Sequence, residues 1–175
     1  MNYPDTLTRV SDQAEDALVN LWDHYQLGEI DEENFVATAS QILTTARTGA
    51  VGLADIALSA ELTRLWGRPV LPLGMTFTAP DEAFTAEMIT NPTVQRGLRT
   101  NAAAALGVVV RAAVFRAAQQ ATQWGMKEHG VTTWTRETND EACPVCTGLA
   151  DGTELSTDTP MYTHKGCNCT PRPTE

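Results

Sequence analysis

The sequence predicts a mainly α protein, an elongated helical bundle that carries a small C-terminal β-hairpin or knuckle module stapled by zinc. Three observations predict it. Apolar residues recur at spacings of three and four over most of residues 4–129, the texture changes after Gly130 to alternating β-branched and polar residues, and all four cysteines fall between Cys143 and Cys169. A chain of 175 residues has room for one core-bearing domain and an appendage. The expected division is a helical body over 1–129 and a zinc-binding module over 130–175.

Pro4 and Asp5 suit a helix start, and Leu7, Val10, Ala14, Leu18, Leu21, Trp22 and Tyr25 keep one stripe until Gly28, so a first helix is expected over about 4–26. Asp31 reads as an N-cap. Behind it Phe35, Ala39, Ile42, Ala46, Ala50, Leu53, Ala57, Leu58, Leu62 and Leu65 continue one stripe, which predicts a helix over 31–66 that Gly49 or Gly52 could bend. The segment GRPVLPLGMTFTAP, residues 67–80, holds three prolines and two glycines and has no helical stripe. It is expected to be an irregular arm. Asp81 can cap a short helix over 81–90, and Asn91-Pro92 opens another expected over 92–129, closed by His129-Gly130. Two rods of about 36 residues would each reach roughly 54 Å. The alanines before Leu106 would let a neighbouring helix approach closely. Next, VTTWTRETND alternates as a short strand does, and Asp151-Gly152 between Leu149 and Leu155 reads as a hairpin turn.

The formal charge of −10 argues against a phosphate- or anionic-membrane-binding surface over the whole body. Residues 92–129 are the exception, with Arg96, Arg99, Arg111, Arg116 and Lys127 against the single acid Glu128. On one continuous helix, Arg96, Arg99 and Arg111 would share about 120° of arc and Arg116 would fall outside it. Arginines pairing with acids on neighbouring helices explain such a segment; a face for an acidic partner or DNA also would. No apolar run of spanning length and no secretory leader pattern is apparent, so no membrane partner is expected and synthesis in the cytosol is. Catalysis is not expected either. His24 and His129 fall on helices, no serine has a nucleophile-elbow setting, no phosphate-cradling glycine loop occurs, and no small-molecule substrate is implied.

The segment CPVCTGLADGTELSTDTPMYTHKGCNC sets a C-x2-C pair 17 residues ahead of H-x2-C-x-C. This spacing is that of a structural zinc site: a C-x2-C turn brings two thiolates to one corner of a tetrahedron, and the second cluster completes it. Cys143 and Cys146 form the first pair. His164 with Cys167 or Cys169 supplies the rest, or both cysteines do and the histidine is spare; three cysteines with His164 is the favoured set. Four protein ligands leave no open coordination position, so the metal's role is folding. Two disulfides, four core thiols, or a thioredoxin-like redox pair are the alternatives; the last needs a strand–helix context that this sequence lacks. Trp134 and Tyr162 are candidates to cover the metal turn, and Lys165 to offset thiolate charge.

The order Trp134, Asp140, Cys143-Pro-Val-Cys146, Gly148-Leu149, Asp151-Gly152 and His164-Lys-Gly-Cys167-Asn-Cys169 resembles the C-terminal signature of the phage Mu F-like head morphogenesis family, minor capsid proteins of tailed phages. That signature has a tryptophan, an acid before C-x2-C, an exposed Gly or Asp-Gly, and a closing H-P-x-C-R-C. Lys165 stands here for the usual proline and Asn168 for the usual arginine, and neither change removes a ligand. The resemblance spans residues 134–171. It implies a structural virion protein made in the host cytoplasm, low in copy, bound to the portal or the major capsid protein at the capsid interior, with possible contact to packaged DNA. The other reading is a zinc-knuckle nucleic-acid-binding protein that uses the basic helix. Residues 130–175 hold seven acids and three bases, which would repel phosphate.

Overall fold

A computed structural model describes residues 3–77, 91–138, 142, 144–163 and 169–174. The chain is mainly helical, as its periodicity predicts. Helix α1 spans Tyr3–Gln26 and buries Leu7, Ser11, Ala14, Leu18 and Trp22 along one stripe. It stops where Gly28 takes φ +72°, with Glu29 N donating to His24 O at 3.0 Å, the left-handed stop that glycine permits without a Cβ clash. Helix α2 spans Glu32–Trp66. Asp31 caps it by accepting from Asn34 N at 2.8 Å, and Gly67 at φ +62° ends it. Its 35 residues reach about 52 Å. At the α1–α2 turn Tyr25 stacks on Phe35 at 4.9 Å between ring centroids and Trp22 meets Phe35 edge-on at 5.7 Å.

The helix expected to run unbroken over 92–129 is two helices, α3 (Pro92–Thr100) and α4 (Ala102–Glu128). Asn101 breaks it. Its backbone is extended at φ −157°, and its side chain accepts from Ala104 N at 3.0 Å, so N-capping overrides the helical propensity of the alanines that follow. Helix α3 then folds against α4 through Gly97, where an added Cβ would stand 2.8 Å from the Ala105 Cβ. The small residues before Leu106 are what allow that approach. The helix expected over 81–90 and the arm's last residues, 78–80, lie outside the described residues.

Helices α1, α2 and α4 pack against one another around a core that includes Phe35, Leu43, Ala50, Leu106, Val110, Val114 and Phe115. By length and composition α4 is apolar enough to cross a membrane, and half of its most apolar window is buried in the bundle. Contact with α1 is close at Gly107, where a Cβ would meet the Glu15 carboxylate, and contact with α2 is close at Gly125, where it would stand 2.7 Å from Leu58 Cδ2. Residues 67–77 form the expected irregular arm, and α2 holds it with a polar row one turn apart. Asp55, 2% exposed, accepts from the backbone N–H groups of Leu73, Gly74 and Met75 at 2.9, 2.7 and 3.0 Å. Ser59 donates to Val70 O at 2.6 Å, and Thr63 accepts from Val70 N at 3.0 Å.

After Gly130, at φ +78°, the chain forms strand β1 (Thr133–Glu137), a short helix α5 (Pro144–Leu149), β2 (Leu155–Ser156) and β3 (Thr170–Pro173). The sheet order is β2-β1-β3, antiparallel throughout, with Trp134 opposite Leu155 on one side and Pro173 on the other. The hairpin expected within 149–159 is therefore not the one formed. Leu149 ends a helix, and the Asp151-Gly152 turn joins that helix to a strand whose partner is β1. Gly152 at φ +83° and the Asp151 carboxylate accepting from Thr153 N at 2.9 Å make the turn, and neither requires strands on both sides.

Three charge-assisted hydrogen bonds at one buried carboxylate should contribute several times what a neutral pair does. Asp55→Ala is expected to lower unfolding free energy by about 2–3 kcal/mol and to open residues 67–77 to proteolysis while the helical circular dichroism persists. Urea midpoints and limited proteolysis check this. An unchanged midpoint would show that the arm is held by its apolar side chains alone.

Candidate metal centre

A second apolar cluster lies where the C-terminal segment meets the bundle. Leu58 and Leu62 of α2 and Met126 of α4 pack with Val131, Trp134, Cys146, Met161 and Cys169. Both cysteines are 1% exposed, and Trp134 is fully buried. Cys146 stands on α5 and Cys169 immediately precedes β3, so two sulfurs 23 positions apart in sequence reach one cluster. Their partners in the expected shell, Cys143, His164 and Cys167, lie outside the described residues, as do Asp140 and Lys165. Among the described residues no three His, Cys, Asp or Glu side chains gather to hold a metal.

The chemistry of the described donors suits zinc. Two sulfurs enclosed by leucines, methionines and an indole ring are soft ligands shielded from water, and the aliphatic surround is what a structural site needs to keep solvent off the ion. Cys143, Cys146 and His164 with Cys167 or Cys169 are the residues that would hold the ion, which would supply cross-linking of chain segments. Trp134 lies in the same cluster and donates its indole N–H to Ser156 O at 3.0 Å. Among the described residues, Tyr162 is not part of that cluster. Its side chain is 60% exposed and its carbonyl accepts from Arg136 Nη2 at 2.7 Å.

Side-chain-to-backbone bonds hold Cys169 and the stretch that leads to it against the body. Gln119 of α4, 3% exposed, donates through Nε2 to Cys169 O at 2.6 Å. One turn on, Gln123 donates to Thr159 O at 3.0 Å and accepts from Met161 N at 3.2 Å. Thr157, also buried, donates to Val131 O at 3.0 Å. Periodicity had no means to single out these glutamines. Their only signal was a polar pair one turn apart in an otherwise alanine-rich helix.

Arg172 of β3 ties the sheet to α2, bonding Glu61 Oε1 through Nε at 3.0 Å and approaching Glu137 of β1 at 3.5 Å. Glu61 also takes Arg64 at 2.7 Å. Glu61, Glu137 and Arg172 border a cleft of about 470 Å³ that Tyr3 and Thr122 also line. Burial pushes the Tyr3 phenol above the ordinary tyrosine range, and Thr122 beside it acts in the opposite direction.

The basic residues are divided between two helices and do not lie on one continuous helix. Arg96 and Arg99 are exposed on α3, Arg111 stands on α4 beyond the break at Asn101 and lies 3.8 Å from Asp12 of α1, and Arg116 is exposed. The pairing of Arg111 is the neighbouring-acid arrangement weighed above. Comparison with protein-family models, with curated proteins and with solved structures finds no match.

The hydrogen bond from Arg64, with Arg172 adding to it against a desolvation cost, holds the Glu61 carboxyl down to about 2. A depressed folded-state value means that the stabilisation is complete above the ordinary value of 4.5 and fades as pH falls toward 2. The side chain is a quarter exposed, which limits the contribution to about 1 kcal/mol. Glu61→Gln is expected to lower stability by that amount near neutral pH and to leave it unchanged at the acid end. Urea midpoints at the two extremes check this, and an equal loss at both would assign the effect to packing.

Proposed function

We propose that this chain is a structural head-morphogenesis protein of a tailed phage, a minor capsid component bound to the portal or the major capsid protein at the capsid interior. A structural zinc ion staples its C-terminal module to an elongated helical body. The single observation that supports this most is the convergence of Cys146 and Cys169 with Trp134 in one buried cluster. These are three marks of the signature that the C-terminal segment resembles, and they come from three separate stretches of sequence. The ligand set in this reading is Cys143, Cys146, His164 and Cys169; Cys169 is taken because it lies in one buried cluster with Cys146, while Cys167 lies outside the described residues. Synthesis is in the host cytoplasm and the final location is the virion. The helical body supplies the partner surface, and the zinc module maintains a segment too poor in apolar residues to hold itself.

Metal content and head association test the reading together. Purified protein is expected to hold one zinc per chain. A strong chelator should remove it with the near-ultraviolet signal of Trp134 while the helical signal stays. The chain should also co-sediment with purified heads through a high-salt wash, and the double variant Cys143→Ser/Cys146→Ser should not. Absence from heads, with salt-sensitive DNA binding by the free protein, would replace this reading with the nucleic-acid one.

A further inference from the structure

Helix α4 does more than close the bundle. Gln119 and Gln123 are one turn apart on it, and between them they hold the backbone at Thr159, Met161 and Cys169. In sequence, His164 and Cys167 fall between those anchor points. Gln119 is a buried primary amide among Ala117, Ala118 and Ala121, a costly place for a polar group unless it is satisfied. Its described partner is the carbonyl of one specific residue, Cys169, and the 2.6 Å contact fixes the peptide that follows that sulfur's own Cα.

We infer that Gln119 is a positioning residue of the metal centre, with Gln123 as its support, so that α4 sets the place of the Cys169 sulfur relative to Cys146. The inference rests on the zinc reading above and deepens it. A ligand pair drawn from α5 and from the start of β3 has no short loop to hold its spacing, and the sheet hydrogen bonds of β3 begin only at Thr170. The carbonyl of Cys169 is thus held by a helix that contributes no ligand. Outer partners of this kind tune affinity because a ligand already aimed at the ion loses less freedom on binding.

The test uses the full chain. Zinc affinity is measured by competition with a chromophoric chelator, and the cobalt-substituted protein is examined for its visible ligand-field bands. Wild type should bind one ion with a tetrahedral cobalt spectrum. Gln119→Leu keeps the side-chain size but cannot donate, and it should weaken zinc by about 10- to 100-fold and alter the cobalt bands. Gln123→Leu should have a smaller effect in the same direction. Thr157→Val removes another buried anchor of the same module that touches neither cysteine-bearing segment, and it should leave affinity within about twofold, the small change expected where no outer partner of a ligand is lost. Helical circular dichroism on every variant confirms that the bundle is intact. If wild type binds neither ion, the zinc reading falls and this inference with it. If wild type binds and Gln119→Leu matches it, or if Thr157→Val loses as much as Gln119→Leu, the positioning role is overturned while the zinc reading stands.

Discussion

The C-terminal segment cannot form a core of its own, and much of the architecture follows from that constraint. Among the described residues beyond Gly130 the buried apolar side chains are Val131, Trp134, Met161, Pro171, Pro173 and the two described cysteines, with Leu155 half-buried beside them. These are too few to offset the ordering entropy of a separate unit. The segment therefore borrows Leu58 and Leu62 from α2 and Met126 from α4, and Trp134, fully enclosed, becomes the piece around which both parts pack. A tetrahedral ion in the same cluster would add the cross-links that so small a set of apolar groups lacks.

The same economy of contact runs through the bundle. Where the helices approach most closely, glycine or alanine stands at the contact: Gly97 against Ala105, Gly107 against Glu15, Gly125 against Leu58 and Met75. Three polar side chains of the long helices are matched to backbone. Asp55 collects three N–H groups from the arm, and Gln119 and Gln123 meet the backbone of the C-terminal segment. The body thus holds its two irregular attachments by the same means, side chains of a regular helix bonding the main chain of an irregular one. Such bonds fix position with little dependence on which side chains the irregular segment carries.

How much of this was legible depended on whether the cause was local. The first two helices were legible to within a residue or two, because their caps at Asp31 and Gly67 and their stripes lie in the segments themselves. The strand at Thr133–Glu137 was legible for the same reason. The break at Asn101 was not, because Thr100-Asn101 before four alanines reads equally as helix interior or cap, and the choice is made by the approach of Gly97 to Ala105. The Asp151-Gly152 turn was legible as a turn, but its outcome was misread, since the strand it feeds pairs with β1 about twenty residues upstream. At the candidate site, Cys146 and Cys169 share one apolar cluster, while the rest of the expected shell lies outside the described residues. Asp55, Gln119 and Gln123 had no local signature, because what they bind is backbone 18 to 50 positions away.

The central claim is that thiolates from α5 and from the start of β3 share one closed zinc shell. X-ray absorption at the zinc edge on the purified full chain tests it most directly. The account predicts about three sulfurs near 2.3 Å and one imidazole nitrogen near 2.0 Å, with no water in the shell. A shell of oxygen and nitrogen alone, or an open position occupied by water, would contradict it.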